Sequence, residues 1–216
     1  MKIKGLLFDL DGVLVSTEHN HFVAWKRTAQ ELGINFTEKE NEQLKGISRV
    51  DSLKKILEFG DQSISEQYFN ELLISKNNFY LDSIQLLNRS NLLPGVLELL
   101  ENAKVNGIKL GVGSSSKNAN HILNLLEIAS FFDVVIDGNG VKDPKPNPEV
   151  FLNGAEALGV SPKECIVFED AASGIQAALR GGFYAIGVGN PEIESLAHVY
   201  LNDLMEFRLE DYAELI

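Results

Sequence analysis

The chain has 216 residues, a length that accommodates one large domain or a core with a modest second domain. Its formal net charge of −12, from 19 basic and 31 acidic side chains, disfavours nucleic acids and anionic lipid surfaces as partners. A single cysteine, Cys165, excludes an internal disulfide bond, and no apolar run approaches the roughly 20 residues of a membrane span. We therefore expect a soluble, cytoplasmic protein, and we separately predict that it is a monomer.

Short apolar runs alternate with helical patterns over most of the chain. Strands are predicted at 3–9, 108–114, 133–136, 165–169 and 184–188. The helical patterns between these strands cover 95–106, 117–127, 148–158 and 172–181. This alternation predicts right-handed βαβ units and an α/β fold with a doubly wound parallel sheet. Functional residues are then expected just beyond the carboxyl ends of the strands.

The segment 17–87 breaks this alternation because it contains no convincing strand pattern. Its apolar side chains recur at helical spacing, as in Phe22, Trp25, Ala29 and Leu32. We predict an inserted all-helical cap domain at 17–87 and an α/β core formed by 1–16 and 88–216. The links near 15–17 and 85–92 are the predicted hinges.

The first strand ends in the sequence FDLDGVL, which contains Asp9, Asp11 and Gly12. Alternate residues of an extended chain face the same side, so both carboxylates can face one site before Gly12 turns the chain. One carboxylate could attack phosphorus while the other exchanges a proton with the leaving or incoming oxygen. The alternative is an ordinary turn rich in aspartate.

The second strand ends in GVGSSSKN. Ser114 lies where the strand passes into a predicted helix, and backbone N–H groups at a helix N-terminus favour a phosphate. The alternative is that Ser116 caps the helix. Both roles can hold at once because different serines are involved.

The third strand is followed by the loop VKDPKPNPEVF. Prolines at 144, 146 and 148 restrain this loop, and Asn147 followed by Pro148 is typical of a helix start. Lys145 is thereby a cation on a restrained backbone, suited to neutralising a phosphoryl group in transfer. The alternative is a solvated surface lysine.

The fourth strand ends in VFEDAASGI, with Glu169 and Asp170 adjacent. Two buried carboxylates repel each other unless a cation lies nearby, and Mg²⁺ prefers oxygen ligands of this kind. Asp9 on the neighbouring strand could join them. The alternative is that the acids interact with the N-terminus of the following helix.

These four motifs, in this order, resemble the motif set of the haloacid dehalogenase superfamily, and the resemblance covers the whole chain. A cap inserted after the first motif is similar to the subgroup with a small helical cap. The segments TEHNHFVAWKRTAQELGI, NEQLKGISRVDSLKKIL, SKNN and SSSKN further resemble the β-phosphoglucomutase family, whose members interconvert β-glucose 1-phosphate and glucose 6-phosphate.

The resemblance implies a role for each matching residue. Asp9 is implied as the phosphorylated nucleophile and Asp11 as the general acid/base. Mg²⁺ is implied to bind Asp9, the backbone carbonyl of Asp11, Glu169 and Asp170. The implied ligands of the transferring phosphate are Ser114 and Lys145, and Ser115 is implied as a further phosphate ligand. Those of the sugar's other phosphate are Arg49, Ser116, Lys117 and Asn118. The implied sugar-pocket and hinge residues are His21, Trp25, Lys45, Gly46, Ser52 and Lys76.

Two phosphate sites distinguish a mutase from a phosphatase, because a mutase binds a sugar bisphosphate in either orientation. Arginine suits the second site, since its planar fork meets phosphate oxygens bidentately. Alternatively, Arg49 forms a surface salt bridge, and Trp25 and His21 pack on a helix face. Ser16 departs from the family, which usually has an acidic residue there. A sugar-phosphate phosphatase is the main alternative function, and a non-enzymatic binding protein is disfavoured because every catalytic position is filled.

Overall fold

The structure, a computed structural model, describes residues 3–212. Its contacts divide the chain into two compact units, one formed by Thr17–Leu86 and the other by the segments on either side. The first unit ends one residue before the predicted cap boundary at 87. The predicted core range also includes residues 1–2 and 213–216, which lie outside the described residues.

Helices account for the unit Thr17–Leu86, which contains no strand in the structure. They are α1 (Glu18–Glu31), α2 (Glu38–Glu42), α3 (Arg49–Phe59) and α4 (Glu66–Ser83). Their apolar faces form a core that includes Trp25 and Leu53. Ser48 and Ser65 cap α3 and α4, since each hydroxyl accepts a hydrogen bond from a backbone N–H of the first turn, at 3.1 and 3.2 Å.

The larger unit contains, within residues 3–212, a six-stranded parallel sheet. Its strands are β1 (Gly5–Phe8), β2 (Lys109–Gly113), β3 (Val134–Ile136), β4 (Cys165–Glu169), β5 (Tyr184–Val188) and β6 (Val199–Leu201). The connecting helices are α5 (Val96–Val105), α6 (Ala119–Leu125), α7 (Glu149–Leu158) and α8 (Ala172–Arg180). The central strands are buried along their whole length, as is typical of parallel sheets with both faces covered.

The strand order is β3-β2-β1-β4-β5-β6, so the direction of winding reverses between β1 and β4. Phe8 at the end of β1 pairs with Phe168 of β4, and their rings stack with centroids 4.9 Å apart. A reversal of this kind leaves a crevice beyond the carboxyl ends of the strands. The predicted α/β fold with a doubly wound parallel sheet is confirmed.

Two details of the prediction are wrong. The three-residue strand β6 was not predicted, because no α-helical pattern precedes it: Pro191–Leu196 is a 3-10 helix. Helix α6 begins at Ala119 instead of residue 117, so residues 114–118 form a loop. Among the described residues, no helix has the length and apolar character that crossing a membrane requires.

Candidate active site

The carboxyl ends of β1, β2 and β4 bring three predicted site residues to one edge of the sheet. Asp9 follows β1, and its N–H donates to the carbonyl of Phe168 at 2.9 Å. Ser114 follows β2 and donates in the same way to the carbonyl of Ile136 at 2.9 Å, while Glu169 is the last residue of β4. The side chains of Asp9, Ser114 and Glu169 are all buried.

Lys145 lies between two of these carboxylates. Its Nζ is 2.5 Å from Oδ1 of Asp9 and 2.7 Å from Oε1 of Glu169, and it lies 4.7 Å from the centroid of the Phe151 ring. The side chain is 1% exposed, so the alternative of a solvated surface lysine is wrong. The structure therefore places a buried cation against the predicted nucleophile.

The carboxylates determine the charge of this lysine. Burial alone would lower the pKa of Lys145, but the nearby charges of Asp9 and Glu169 outweigh burial and raise that pKa above its usual range. The ammonium group is therefore protonated at every pH at which the protein is expected to work. It can neutralise negative charge without acting as a proton donor.

The loop that carries Lys145 is held by the side chain of Glu149, which was not among the predicted site residues. The two carboxylate oxygens of Glu149 accept hydrogen bonds from the N–H groups of Lys142 and Asp143, at 3.0 and 2.9 Å. These bonds lower the pKa of Glu149. Arg180 also donates to the carbonyl of Pro146 at 3.2 Å. An acidic residue in the first turn of α7 was the available signal, but it is equally typical of helices without a function.

The carboxylate of Asp170, the residue after Glu169, lies against Gly12. Gly12 has φ of +82°, and a Cβ atom there would lie 2.0 Å from Oδ2 of Asp170. The carboxylate of Asp170 thus occupies the space that a side chain at position 12 would fill. Burial and the charges of Glu169, Asp9 and Asp11 raise the pKa of Asp170 well above its usual range. Lys145 opposes this effect without overcoming it, so negative charge exceeds positive charge in this corner of the site.

The donor set suits a hard cation such as Mg²⁺. Burial and the charge of Asp9 raise the pKa of Glu169, against the opposing effect of Lys145. Within residues 3–212, no three acidic, histidine or cysteine side chains are arranged as a ready-made metal cage. Both carboxylate oxygens of Glu169 are engaged, one by Lys145 and the other by the N–H of Ala171 at 2.9 Å. Asp170, crowded by acids, is the carboxylate that a cation would most relieve.

Residues 114–118, which we call the serine loop, are organised by their own hydroxyl groups. Oγ of Ser114 accepts from the N–H of Ser116 at 3.1 Å, and Oγ of Ser116 accepts from the N–H of Asn118 at 3.2 Å. Asn118 precedes α6, so Ser116 supports the loop and does not cap the first turn of the helix. Ser115 is partly buried, and Lys117 is exposed.

In the helical unit, three of the predicted pocket residues lie together. Lys76 is 3% exposed, and its Nζ is 2.9 Å from Nδ1 of His21 and 4.5 Å from the centroid of the Trp25 ring. Tyr80, which was not among the predicted site residues, provides a second ring whose centroid is 4.8 Å from this ammonium group. Its hydroxyl donates to Oγ1 of Thr17 at 3.1 Å. The spacing of Lys76 and Tyr80 on α4 was the signal that could have found Tyr80.

The other predicted residues of this unit are placed separately. Lys45 forms ion pairs with Glu18 and Glu42, each at 2.8 Å, while Gly46 has φ of +73°. The buried hydroxyl of Ser52 donates to the carbonyl of Ser48 at 3.0 Å. Arg49 has no ion-pair partner within residues 3–212, so the alternative of a surface salt bridge is not supported. Burial lowers the pKa of Arg49.

His21 gives a testable pH dependence of stability. Burial, Lys76 and Arg49 lower the pKa of His21 well below its usual value, so the folded protein holds this ring neutral. The unfolded chain binds a proton below about pH 6.5, and the free energy of unfolding should therefore fall by roughly 1–2 kcal/mol between pH 6.5 and 5. His21→Gln should flatten this dependence in denaturant titrations, whereas the exposed His121→Gln should retain it. Equal slopes in the two variants would contradict the assignment.

Comparison with known proteins decides the family. The sequence pattern of the haloacid dehalogenase-like hydrolases matches residues 3–182. The chain belongs to this family. It is 40% identical to the β-phosphoglucomutase of Bacillus subtilis (strain 168) over 212 residues, which cover 96% of this chain and 93% of that protein.

Other members of the haloacid dehalogenase-like hydrolases are also similar. A crystal structure of β-phosphoglucomutase from Clostridium difficile superposes with a TM-score of 0.94 at 41% identity, covering 98% of this chain and 96% of that one. The phosphorylated carbohydrates phosphatase of Thermotoga maritima is 32% identical, with 85% and 84% of the two chains covered. The predicted resemblance to the haloacid dehalogenase superfamily is confirmed, and relatives with two different activities are present.

Proposed function

We propose that the protein is a β-phosphoglucomutase that interconverts β-glucose 1-phosphate and glucose 6-phosphate through an aspartyl phosphate and glucose 1,6-bisphosphate. The observation that carries this proposal is the 40% identity to a β-phosphoglucomutase across 96% of the chain. The mutase structure with a TM-score of 0.94 supports the same function.

The geometry of the core supports phosphoryl transfer through Asp9. Lys145 binds Oδ1 of Asp9, so we assign the attack on phosphorus to Oδ2. A bond forms between this oxygen and phosphorus as the bond from phosphorus to the donor oxygen breaks. Asp11 gives its proton to the departing oxygen, and it takes a proton from the sugar hydroxyl when the phosphoryl group is returned. Lys145 and the hydroxyl groups of Ser114 and Ser115 bind the equatorial oxygens in transfer.

Mg²⁺ is the proposed cofactor, held by Asp9, the carbonyl of Asp11, Glu169 and Asp170. When bound, it would neutralise the phosphoryl charge that this acidic corner otherwise repels. Asp170 supports the assignment because its pKa is raised by burial and by the surrounding carboxylates. Glu169 already accepts hydrogen bonds from Lys145 and from the N–H of Ala171. Its position as a ligand therefore depends on both of these groups.

A second phosphate site is required for mutase activity, and we assign it to Arg49 with Ser116, Lys117 and Asn118. Arg49 supports this assignment because no carboxylate within residues 3–212 pairs with it. His21, Trp25, Lys45, Gly46, Ser52 and Lys76 are proposed to shape the sugar pocket and the hinge. A cytoplasmic location and a monomeric state stay predictions, as do the residue boundaries of the cap.

A sugar-phosphate phosphatase is the second candidate, favoured by the 32% identity to the Thermotoga maritima phosphatase. In that case the phosphoenzyme transfers its phosphoryl group to water, and no second phosphate site is needed. The two candidates therefore differ in the product formed when the phosphoenzyme meets glucose phosphate.

Arg49→Ala is expected to raise the ratio of free phosphate to glucose 6-phosphate by about tenfold or more. The loss of a charge-assisted contact costs roughly 1.5–3 kcal/mol, and it affects only substrates with a phosphate remote from the reacting centre. Phosphorylation of Asp9 by acetyl phosphate should be spared. The assay supplies β-glucose 1-phosphate, Mg²⁺ and a trace of glucose 1,6-bisphosphate, and both products are measured.

Lys54→Ala is the matched control, because Lys54 is a cation on the same helix with a side chain 61% exposed. It should behave like the wild type. An unchanged ratio in Arg49→Ala would remove Arg49 from the second site. A wild-type protein that produces only free phosphate would replace the mutase with the phosphatase.

A further inference from the structure

The serine loop packs backbone to backbone on the turn that follows β3. We call residues 137–140 the bracing turn. The N–H of Gly138 donates to the carbonyl of Ser116 at 3.3 Å, and Nδ2 of Asn139 donates to the carbonyl of Lys117 at 3.4 Å. The carbonyl oxygen of Ser115 lies 2.4 Å from the point that a Cβ atom on Gly138 would occupy. Three consecutive carbonyls of the serine loop thus contact the bracing turn.

The bracing turn is itself held in one conformation by Asp137. Oδ1 of Asp137 accepts from the N–H of Asn139 at 2.8 Å, and Oδ2 accepts from Nδ2 of the same residue at 3.2 Å. The Asp137 carbonyl accepts from the N–H of Gly140 at 2.9 Å. Asp137 therefore orients the Asn139 amide that binds the serine loop.

The contacts determine where the polar groups of the serine loop point. In a planar trans peptide unit the N–H points opposite to the preceding carbonyl. Since the Ser116 carbonyl faces Gly138, the N–H of Lys117 faces away from the bracing turn, and it has no hydrogen-bond partner within residues 3–212. The side chain of Lys117 also crosses Gly138, with Cγ 3.1 Å from the position of the absent Cβ. The N–H of Lys117 is therefore available to an anion, and the stem of its side chain is held against Gly138.

We infer that Gly138 and Asn139 are positioning residues that set the serine loop, and through it Lys117, for the phosphate of the sugar that does not react. This inference rests on the proposed function for the identity of the ligand. It explains why glycine is required at 138, where any side chain would displace the carbonyl of Ser115 or the stem of Lys117.

The test compares alanine at two glycines of the same turn. Neither Gly138 nor Gly140 has a positive φ, so alanine is conformationally allowed at both. A Cβ atom on Gly140 would meet its nearest neighbour at 3.6 Å, an ordinary contact, whereas one on Gly138 would lie 2.4 Å from a backbone oxygen. The two variants therefore differ in steric conflict with the serine loop.

Gly138→Ala should raise the dissociation constant for glucose 6-phosphate and the KM for β-glucose 1-phosphate by about tenfold, because small displacements of binding groups are costly. Phosphorylation of Asp9 by acetyl phosphate should fall less than sugar binding in Gly138→Ala, because Ser115 is displaced as well. In Asn139→Ala it should stay within about twofold of the wild type, because Asn139 contacts the serine loop at Lys117, and general damage to the fold would not allow this difference. Gly140→Ala should match the wild type in both measurements. Asn139→Ala, at an exposed position, should shift the same constants in the same direction if Gly138→Ala does not fold.

The inference is overturned if the Gly138 and Asn139 variants bind glucose 6-phosphate as Gly140→Ala does, or if sugar binding and acetyl phosphate turnover decline together. Failure of the proposed function gives a different result. In that case the wild type releases only free phosphate, while the difference in glucose 6-phosphate binding between Gly138→Ala and Gly140→Ala persists.

Discussion

Asp9→Asn should abolish both the phosphoenzyme and all turnover. An amide is a far weaker nucleophile than a carboxylate and a poorer ligand for Mg²⁺. The variant also replaces a charged partner of Lys145, whose Nζ is 2.5 Å from Oδ1 in the wild type. Acid-quenched protein treated with acetyl phosphate should show an acid-stable, hydroxylamine-labile adduct in the wild type and none in the variant.

Asp11→Asn is the control for this experiment. Acetyl phosphate has a good leaving group, so the adduct should still form without the general acid. Transfer to the sugar should be slower by about 10²-fold, the usual contribution of general acid/base catalysis. Excess chelator should suppress the adduct in the wild type if Mg²⁺ is required. An adduct of undiminished yield in Asp9→Asn would assign the nucleophile to another residue.

Lys145→Met should destabilise the folded protein by about 3–5 kcal/mol near neutral pH, the usual cost of leaving a buried charge without its partner. The wild-type ammonium group forms ion pairs with two buried carboxylates, those of Asp9 and Glu169. Methionine preserves most of the volume of the side chain, so the loss reports charge more than packing. Denaturant unfolding in the presence of chelator measures the change. Activity should fall by about 10²-fold or more, because the phosphoryl group loses a preorganised cation.

The double variant Lys145→Met/Glu169→Gln separates charge from shape. Removing one carboxylate relieves part of the repulsion that the single substitution creates, so the double variant should be more stable than Lys145→Met alone. The cycle should give a coupling of about 1 kcal/mol or more between positions 145 and 169. A single variant that loses less than about 1 kcal/mol would show that the buried ion pairs contribute little to the fold.

Local sequence patterns were sufficient for five of the six strands of the sheet and for three polar residues at its edge. Continuous apolar runs of strand length, each followed by a helical period, depend only on neighbours along the chain, and they predicted β1 to β5. Asp9, Ser114 and Glu169 were identified because a parallel sheet brings the ends of its strands to one edge. The strand β6 was missed, although β3 is equally short, because the segment before β6 is the 3-10 helix Pro191–Leu196 and gives no α-helical pattern to mark a βαβ unit.

Only the tertiary structure decided what these side chains touch. Asp9 and Lys145 are 136 residues apart in the chain, so no local pattern distinguishes a buried ion pair from a solvated lysine. The same holds for Gly138, whose missing side chain matters only because the carbonyl of Ser115 lies where a Cβ atom would be. Periodicity reports which face of an element is buried, whereas contacts between loops depend on how separate elements pack. The residue types at the candidate site could therefore be predicted from the sequence, whereas the contacts and the charge states of these side chains depend on the fold.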